Sequence, residues 1–391
     1  MGEPDGLGAV NGERCDVAVV GAGLVGLSLA YELACLGASV TIVDAGHPGR
    51  ATDAGAGILS PLTSTETEAA LWPFLRQAGA HYPALLGRME LDGVDVSATG
   101  YGRCGILSLG LREHEDPWFA PYAEQVLRRA PGEVAEITPE EARTLFPPLG
   151  PVHRVLYAAG SARVDGRGMA AALRQAATAR GVEFVAGSVR GVVAGGGHRR
   201  RVDALAVDGQ RDVACAAVAV GGGAWTAAVG EWLETKLPIG PTKGQIVHLG
   251  VEGDTGSWPI VQPLLTHYLV PWPGGRVACG GTFEVGAGFS VRATAAGLSE
   301  LLRECLNVAP GLQEASYLET RVGLRPTTTD DRAVVGRVPG WDNAWVASGH
   351  GANGLLQGPL SARVLAHAMV GVARPGAEVP LPATFDPARF A

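Results

Sequence analysis

Six residues near the amino terminus have the spacing to bind a dinucleotide. Gly21-Ala22-Gly23-Leu24-Val25-Gly26 puts glycine at the first, third and sixth positions, and Asp44 follows 44 − 26 = 18 residues later. In such a pattern Gly21 allows a tight turn, Gly23 lets the backbone approach a pyrophosphate, and Gly26 lets a helix pack closely on a strand. The helix N-terminus offers free N–H donors and about half a positive charge. The Asp44 carboxylate accepts from ribose hydroxyls and repels a 2′-phosphate, which disfavours NADP. The motif alone does not separate NAD from FAD.

Its surroundings are the right elements. Cys15 to Val20 is an apolar, β-rich run, Leu24 to Leu36 is apolar over a helical length, and Ser39 to Val43 is β-branched again. Strand, turn, helix and strand in that order leave room for a parallel crossover. The next segment, Gly49 to Ser60, is rich in Gly and Ala and suits a backbone pressed against a flat ligand.

From this segment onward the chain resembles the D-amino acid oxidase family of FAD enzymes, above all its glycine oxidase and D-amino acid dehydrogenase branches. The resemblance rests on blocks in a fixed order between residue 15 and about residue 370. They are Gly49 to Ser60, Val164-Asp-Gly with the helix that follows, Gly221-Gly-Gly-Ala-Trp225, Lys243-Gly-Gln245 and Tyr268-Leu-Val-Pro271. Gly275 to Glu284, Gly323-Leu-Arg-Pro326 and Gly349-His-Gly-Ala-Asn-Gly354 complete the series. It implies non-covalent FAD, with the pyrophosphate on Gly21 to Gly26, ribose on Asp44, the ring system along Thr52 to Ile58, and Arg50, Ala51, Thr52, Ala56, Gly57 and Ile58 among the residues that bind the cofactor. Val189 would meet the adenine, while Gly222 and Gly351, Ala352, Asn353, Gly354 and Leu355 would touch the flavin. Some relatives attach flavin through a cysteine near the Leu-Arg-Pro block; Leu324 stands there in this chain.

The same resemblance assigns Arg325 to the substrate carboxylate and Tyr268 to a place beside it. A planar guanidinium meets both carboxylate oxygens at once and fixes the angle of the bound molecule. Glycine oxidases carry a second arginine where this chain has Ala352, so glycine is doubtful and a bulkier amine expected. The implied activity is oxidation of a D-amino acid or N-substituted amino acid to an imine by hydride transfer to flavin, with oxygen or another acceptor taking the electrons. A 2-hydroxy acid dehydrogenase, a non-catalytic flavin subunit of a larger complex and an NAD-dependent dehydrogenase stay open as alternatives. His350 reads as structural; His114, His198 and His367 read as solvated faces, and no metal site is visible.

Composition bounds the rest. The 391 residues include 57 Gly without a three-residue repeat, 47% are apolar, and the net charge is 31 − 39 = −8, the wrong sign for wrapping nucleic acid. The six cysteines form no CxxC pair, and Met1 to Asn11 lacks an export pattern, so a reduced, cytoplasmic chain is expected. The most apolar segment, Val17 to Ala30, is too short and too glycine-broken to span a membrane. A homo-oligomer is left open. The expected fold is α/β: a discontinuous Rossmann-type FAD-binding domain (12–60, 155–235, 318–391) and a substrate domain on an antiparallel sheet (61–154, 236–317). Helices are expected after the caps Thr138 and Asp165 and from about Pro359.

Overall fold

A computed structural model of the chain describes residues 14–66, 68–195, 200–372 and 379–391. The expectations for Met1 to Asn11 and for His198 lie outside these residues. Two eight-stranded sheets organise the molecule.

The first sheet grows around the strand Cys15–Val20, which runs parallel to Val40–Asp44 on one side and to Val213–Val220 on the other. Val40–Asp44 continues to Glu183–Ala186, and Val213–Val220 splits between the meander Val189–Gly195 and Arg201–Val207 and the strand Ala344–Ser348. Both faces are covered, so these strands read as unbroken apolar runs rather than alternating ones. Helices Leu24–Cys35, Gly166–Ala179 and Gly354–Val370 cover one face, where Leu29, Leu33, Leu173 and Leu365 are buried. Leu33→Ala would cost about 2–5 kcal/mol, the transfer loss plus the cavity left behind.

The helix caps fall where the sequence puts them. The Asp165 carboxylate accepts from the N–H of Arg167 and Gly168, and Thr138 with Glu141 forms a reciprocal capping box. The last helix differs: it begins at Gly354, not near Pro359, and carries that proline inside. Pro359 has no N–H for the carbonyl of Leu355 four residues before it, and the Tyr82 hydroxyl donates to that carbonyl instead. His367 is also a correction. It is 5% exposed on this helix, whose burial is nearly all-round, and so is not a solvated face.

The second sheet runs Ser316–Thr328, Ile239–Gly250, Arg276–Gly280, Tyr268–Trp272, Ile260–Pro263, Ile106–Gly110, Arg154–Ala158, Ala135–Ile137. Its pairs are antiparallel except Ile260–Pro263 with Ile106–Gly110. Leu107, Val261, Leu269 and Val277 point to one face under helix Ala295–Val308; Ile106, Ile260, Val270 and Ala278 point to the other. Two strands expected in the cofactor domain, Arg154–Ala158 and Ser316–Thr328, pair within this sheet. We propose the same two-domain division with those boundaries moved past each strand. No helix among the described residues is long and apolar enough to cross a membrane.

Candidate active site

A cavity of about 800 Å³ lies between the two sheets. Of the residues assigned above to the cofactor or the substrate, all but Ala22 and Gly26 line it.

One end is built from backbone. Gly21 has φ +100°, and a Cβ there would come within 2.7 Å of the Gly221 carbonyl oxygen, so neither shape nor space admits a side chain. A Cβ on Gly26 would strike the Gly21 carbonyl, which explains why Gly26 supports the turn from behind without reaching the cavity. At Gly23 a Cβ would meet only the Thr52 hydroxyl, 3.6 Å away, in otherwise open space. Gly23 is the N-cap of helix Leu24–Cys35 and has no side chain to satisfy the first-turn N–H groups. One is met by Thr52, whose Oγ1 accepts from Leu24 at 3.1 Å. A glycine cradle at a helix N-terminus with bare donors suits a pyrophosphate.

Asp44 closes the strand beside this turn. Its carboxylate accepts from the N–H of Ala22 at 2.9 Å and of Gly46 at 3.2 Å, and pairs with Arg50. Ala22 therefore orients the acid from behind the wall. Three donors leave a carboxylate, with about four acceptor positions, room for a hydroxyl. Further along, the Gly57 carbonyl accepts from Val164 at 2.9 Å, and a Cβ on Gly57 would collide with the Val164 carbonyl. This holds the Ala51–Ala54 turn and Ile58 flat against the cavity.

Opposite them, the loop from Gly349 to Asn353 leads into helix Gly354–Val370, whose N-cap makes no side-chain bond. Ser348 ties this loop to the Gly221 to Trp225 loop through bonds to the Gly223 carbonyl at 3.1 Å and Thr226 at 2.9 Å. His350 is buried on the wall, its Nε2 3.1 Å from the Ser361 hydroxyl. Burial pushes its pKa down to about 4, so the ring is neutral. None of the six cysteines, including Cys104, lines the cavity.

Side chains make the other end. Arg325 comes from Ser316–Thr328 and Tyr268 from Tyr268–Trp272, with two strands of the sheet between them and glycines clearing the space. A Cβ on Gly281 would lie 3.0 Å from both the Tyr268 hydroxyl and Arg325 Nη2, which locates their meeting point. One on Gly244 would strike the guanidinium. Arg325 Nη1 donates to the Thr282 carbonyl at 2.9 Å, and Thr282 is held by Glu284, which also takes Lys243 Nζ at 2.9 Å and Gln245 Nε2 at 2.6 Å. Lys243 and Gln245 thus position the segment that aims the arginine. Burial pushes the Tyr268 phenol up while the guanidinium beside it pulls it down; burial prevails, and the phenol stays a neutral donor.

Matching the family model described as FAD dependent oxidoreductase (DAO) over residues 16–368 settles which lineage built this cavity. The chain belongs to the DAO family of FAD-dependent oxidoreductases. Among DAO proteins it is 36% identical over 357 residues to the uncharacterized oxidoreductase YurR of Bacillus subtilis, covering 90% of this chain and 94% of that one. Identity to the glycine oxidase of Pseudomonas aeruginosa is 31% over 361 residues, covering 91% and 94%. The crystal structure of iminodiacetate oxidase from Chelativorans superposes with a TM-score of 0.87 at 35% identity over 95% of this chain and 98% of that one. Glycine oxidase from Geobacillus kaustophilus gives 0.85 at 27% identity over 96% and 98%. FAD is the cofactor of the family, and the glycine cradle, the acid at Asp44 and the flat Gly57 segment fit it.

Several cavity residues were not singled out from the sequence. Gln262 could have been found, since in Ile260-Val-Gln-Pro263 it shares its strand parity with Ile260. The ion pair between Glu66 and Arg332 had no local signal, because its partners are 266 residues apart. Among the described residues no group of His, Cys, Asp and Glu is arranged to hold a metal ion.

Proposed function

We propose that this protein oxidises the carbon–nitrogen bond of an amine bearing a single carboxylate, a D-amino acid or N-substituted amino acid, to the imine, which water then splits. The observation that carries the reading is the convergence of Arg325 and Tyr268 over Gly281 at the end of the cavity opposite the pyrophosphate turn. When bound, FAD supplies the acceptor for the hydride that leaves the substrate carbon. Arg325 holds the carboxylate through two parallel bonds, and the neutral Tyr268 hydroxyl donates to it. With the carboxylate fixed at one point, the rest of the molecule is oriented by the walls, and positioning provides much of the rate. Ala352 brings no second charge to this end and leaves space, which favours a substituted amine over glycine.

Anaerobic mixing of the flavin-loaded protein with D- and L-amino acids and N-alkylglycines tests the reading. Bleaching of the flavin by at least one carboxylate amine is expected. Bleaching by 2-hydroxy acids alone would replace the reading with an alcohol dehydrogenase, and bleaching by none would leave a flavin-binding subunit. Reoxidation in air, fast or slow, then separates oxygen from another acceptor.

A further inference from the structure

Beyond Arg325 and Tyr268 the cavity wall continues with groups that hydrogen-bond but carry no charge. Gln262 lies on Ile260–Pro263, whose register pairs Val261 with Leu269, so one residue on it stands beside Tyr268. Its other neighbour in the sheet is Ser108. Gln262 lines the cavity and is partly buried, and its amide has no hydrogen-bond partner among the described residues. Ser60 and Thr63 also line the cavity. The Ser60 hydroxyl lies 2.7 Å from both Thr63 Oγ1 and Ser161 Oγ. The Tyr122 hydroxyl, donating to the Thr63 carbonyl at 2.9 Å and lying 3.1 Å from the Ser108 hydroxyl, fixes this corner to the sheet.

The other two arginines of the cavity wall are already matched. Arg332 forms a forked pair with Glu66 at 3.0 and 3.3 Å and reaches Glu68 at 3.2 Å, and Arg50 is paired with Asp44. Among the described residues Arg325 is thus the one arginine of the cavity wall without a carboxylate partner. A second carboxylate on the substrate would lose its hydration and find no cation. An alkyl arm would cover the Gln262 amide and leave it unpaired. A hydroxyl or carboxamide meets both requirements.

We propose that the substrate carries, besides its amine and single carboxylate, a neutral hydrogen-bonding arm, a hydroxyl or carboxamide, recognised by Gln262 with Ser60 and Thr63. The inference rests on the amine-oxidation reading and narrows its substrate class. Two near-isosteric sets test it: N-(2-hydroxyethyl)glycine, N-propylglycine and iminodiacetate, and D-asparagine, D-leucine and D-aspartate. In whichever set bleaches the flavin, kcat/KM for the neutral polar member is expected to exceed the other two by about tenfold or more, because a site built to hydrogen-bond rejects analogues that cannot. In Gln262→Leu that ratio should fall to within about threefold, chiefly through a higher KM for the polar member. A wild-type preference for the alkyl or the dicarboxylic member overturns the inference while leaving amine oxidation standing. So does a Gln262→Leu protein that slows all three members equally, since that is a structural role. Should Gln262→Leu fail to retain flavin, Ser60→Ala must lower the same ratio, and an unchanged ratio overturns the assignment. Silence from all six compounds, while another carboxylate amine of the wider panel bleaches the flavin, overturns this inference alone; silence from that whole panel defeats the amine-oxidation reading with it.

Discussion

The two ends of the cavity recognise by different means. Along the cofactor stretch the wall is main chain: Gly21, Gly23 and Gly57 bring peptide groups to the surface, and the N-termini of Leu24–Cys35, beside the glycine turn, and of Gly354–Val370, farther along, supply donors. At the other end the wall is side chain, with Arg325, Tyr268 and Gln262 projecting from three strands of one sheet. Backbone recognition tolerates no added atom but depends little on which apolar residues surround it. Side-chain recognition tolerates changes around it but fails when one functional group is lost. The first arrangement suits a cofactor shared by a whole family, the second a substrate that varies within it.

Damage to the two ends should therefore look different. Arg325→Ala leaves the glycine cradle intact, so flavin content should stay near wild type while kcat/KM for carboxylate amines falls by about 3–5 kcal/mol, the cost of stranding a buried charge. Steady-state kinetics with flavin stoichiometry checks both halves, and loss of flavin with the arginine would erase the distinction. At His350, on the cofactor side, the consequence is a pH dependence. Its folded pKa is about 4 against about 6.5 unfolded, so protons bind the unfolded chain first. The stability it contributes is full above about pH 6.5 and is lost as pH falls towards 4, by up to about 3 kcal/mol. His350→Gln should flatten the fall in thermal midpoint over that window; an unchanged slope would mean that the ring is not buried neutral.

Gly26→Ala puts a methyl against the Gly21 carbonyl and should destabilise the turn by about 1–3 kcal/mol, read as flavin released on dilution. The small population that keeps its flavin should turn over with ordinary KM, since the substrate end is untouched. Tyr268→Phe removes a single hydrogen bond and should raise KM by about 1 kcal/mol, roughly fivefold, without changing flavin content. A larger effect on flavin retention than on KM would move Tyr268 to the other side of the comparison.

The same division governs what could be read in advance. Glycine at 21, 23 and 26 with Asp44 is local in sequence, because a turn, a helix start and the next strand end are local events. The caps at Thr138 and Asp165 were legible for the same reason. Arg325 and Tyr268 came into view through the resemblance, since nothing in the spacing of two residues 57 apart shows that they meet over Gly281. The parallel pairing of Ile260–Pro263 with Ile106–Gly110, which brings Gln262 beside Ser108, joins residues about 150 apart and has no local signal. Pro359 misled because helix rules treat proline as a break, whereas here a tyrosine from another helix replaces the missing bond.

A carboxylate with no amine to oxidise isolates the claim on which both ends meet. Titrating flavin-loaded protein with propionate and following the flavin absorbance should give a saturable perturbation in wild type. In Arg325→Ala, still loaded with flavin, the Kd should weaken by about a hundredfold or more. A perturbation that saturates at the same concentration in both proteins would place the carboxylate elsewhere and contradict the account.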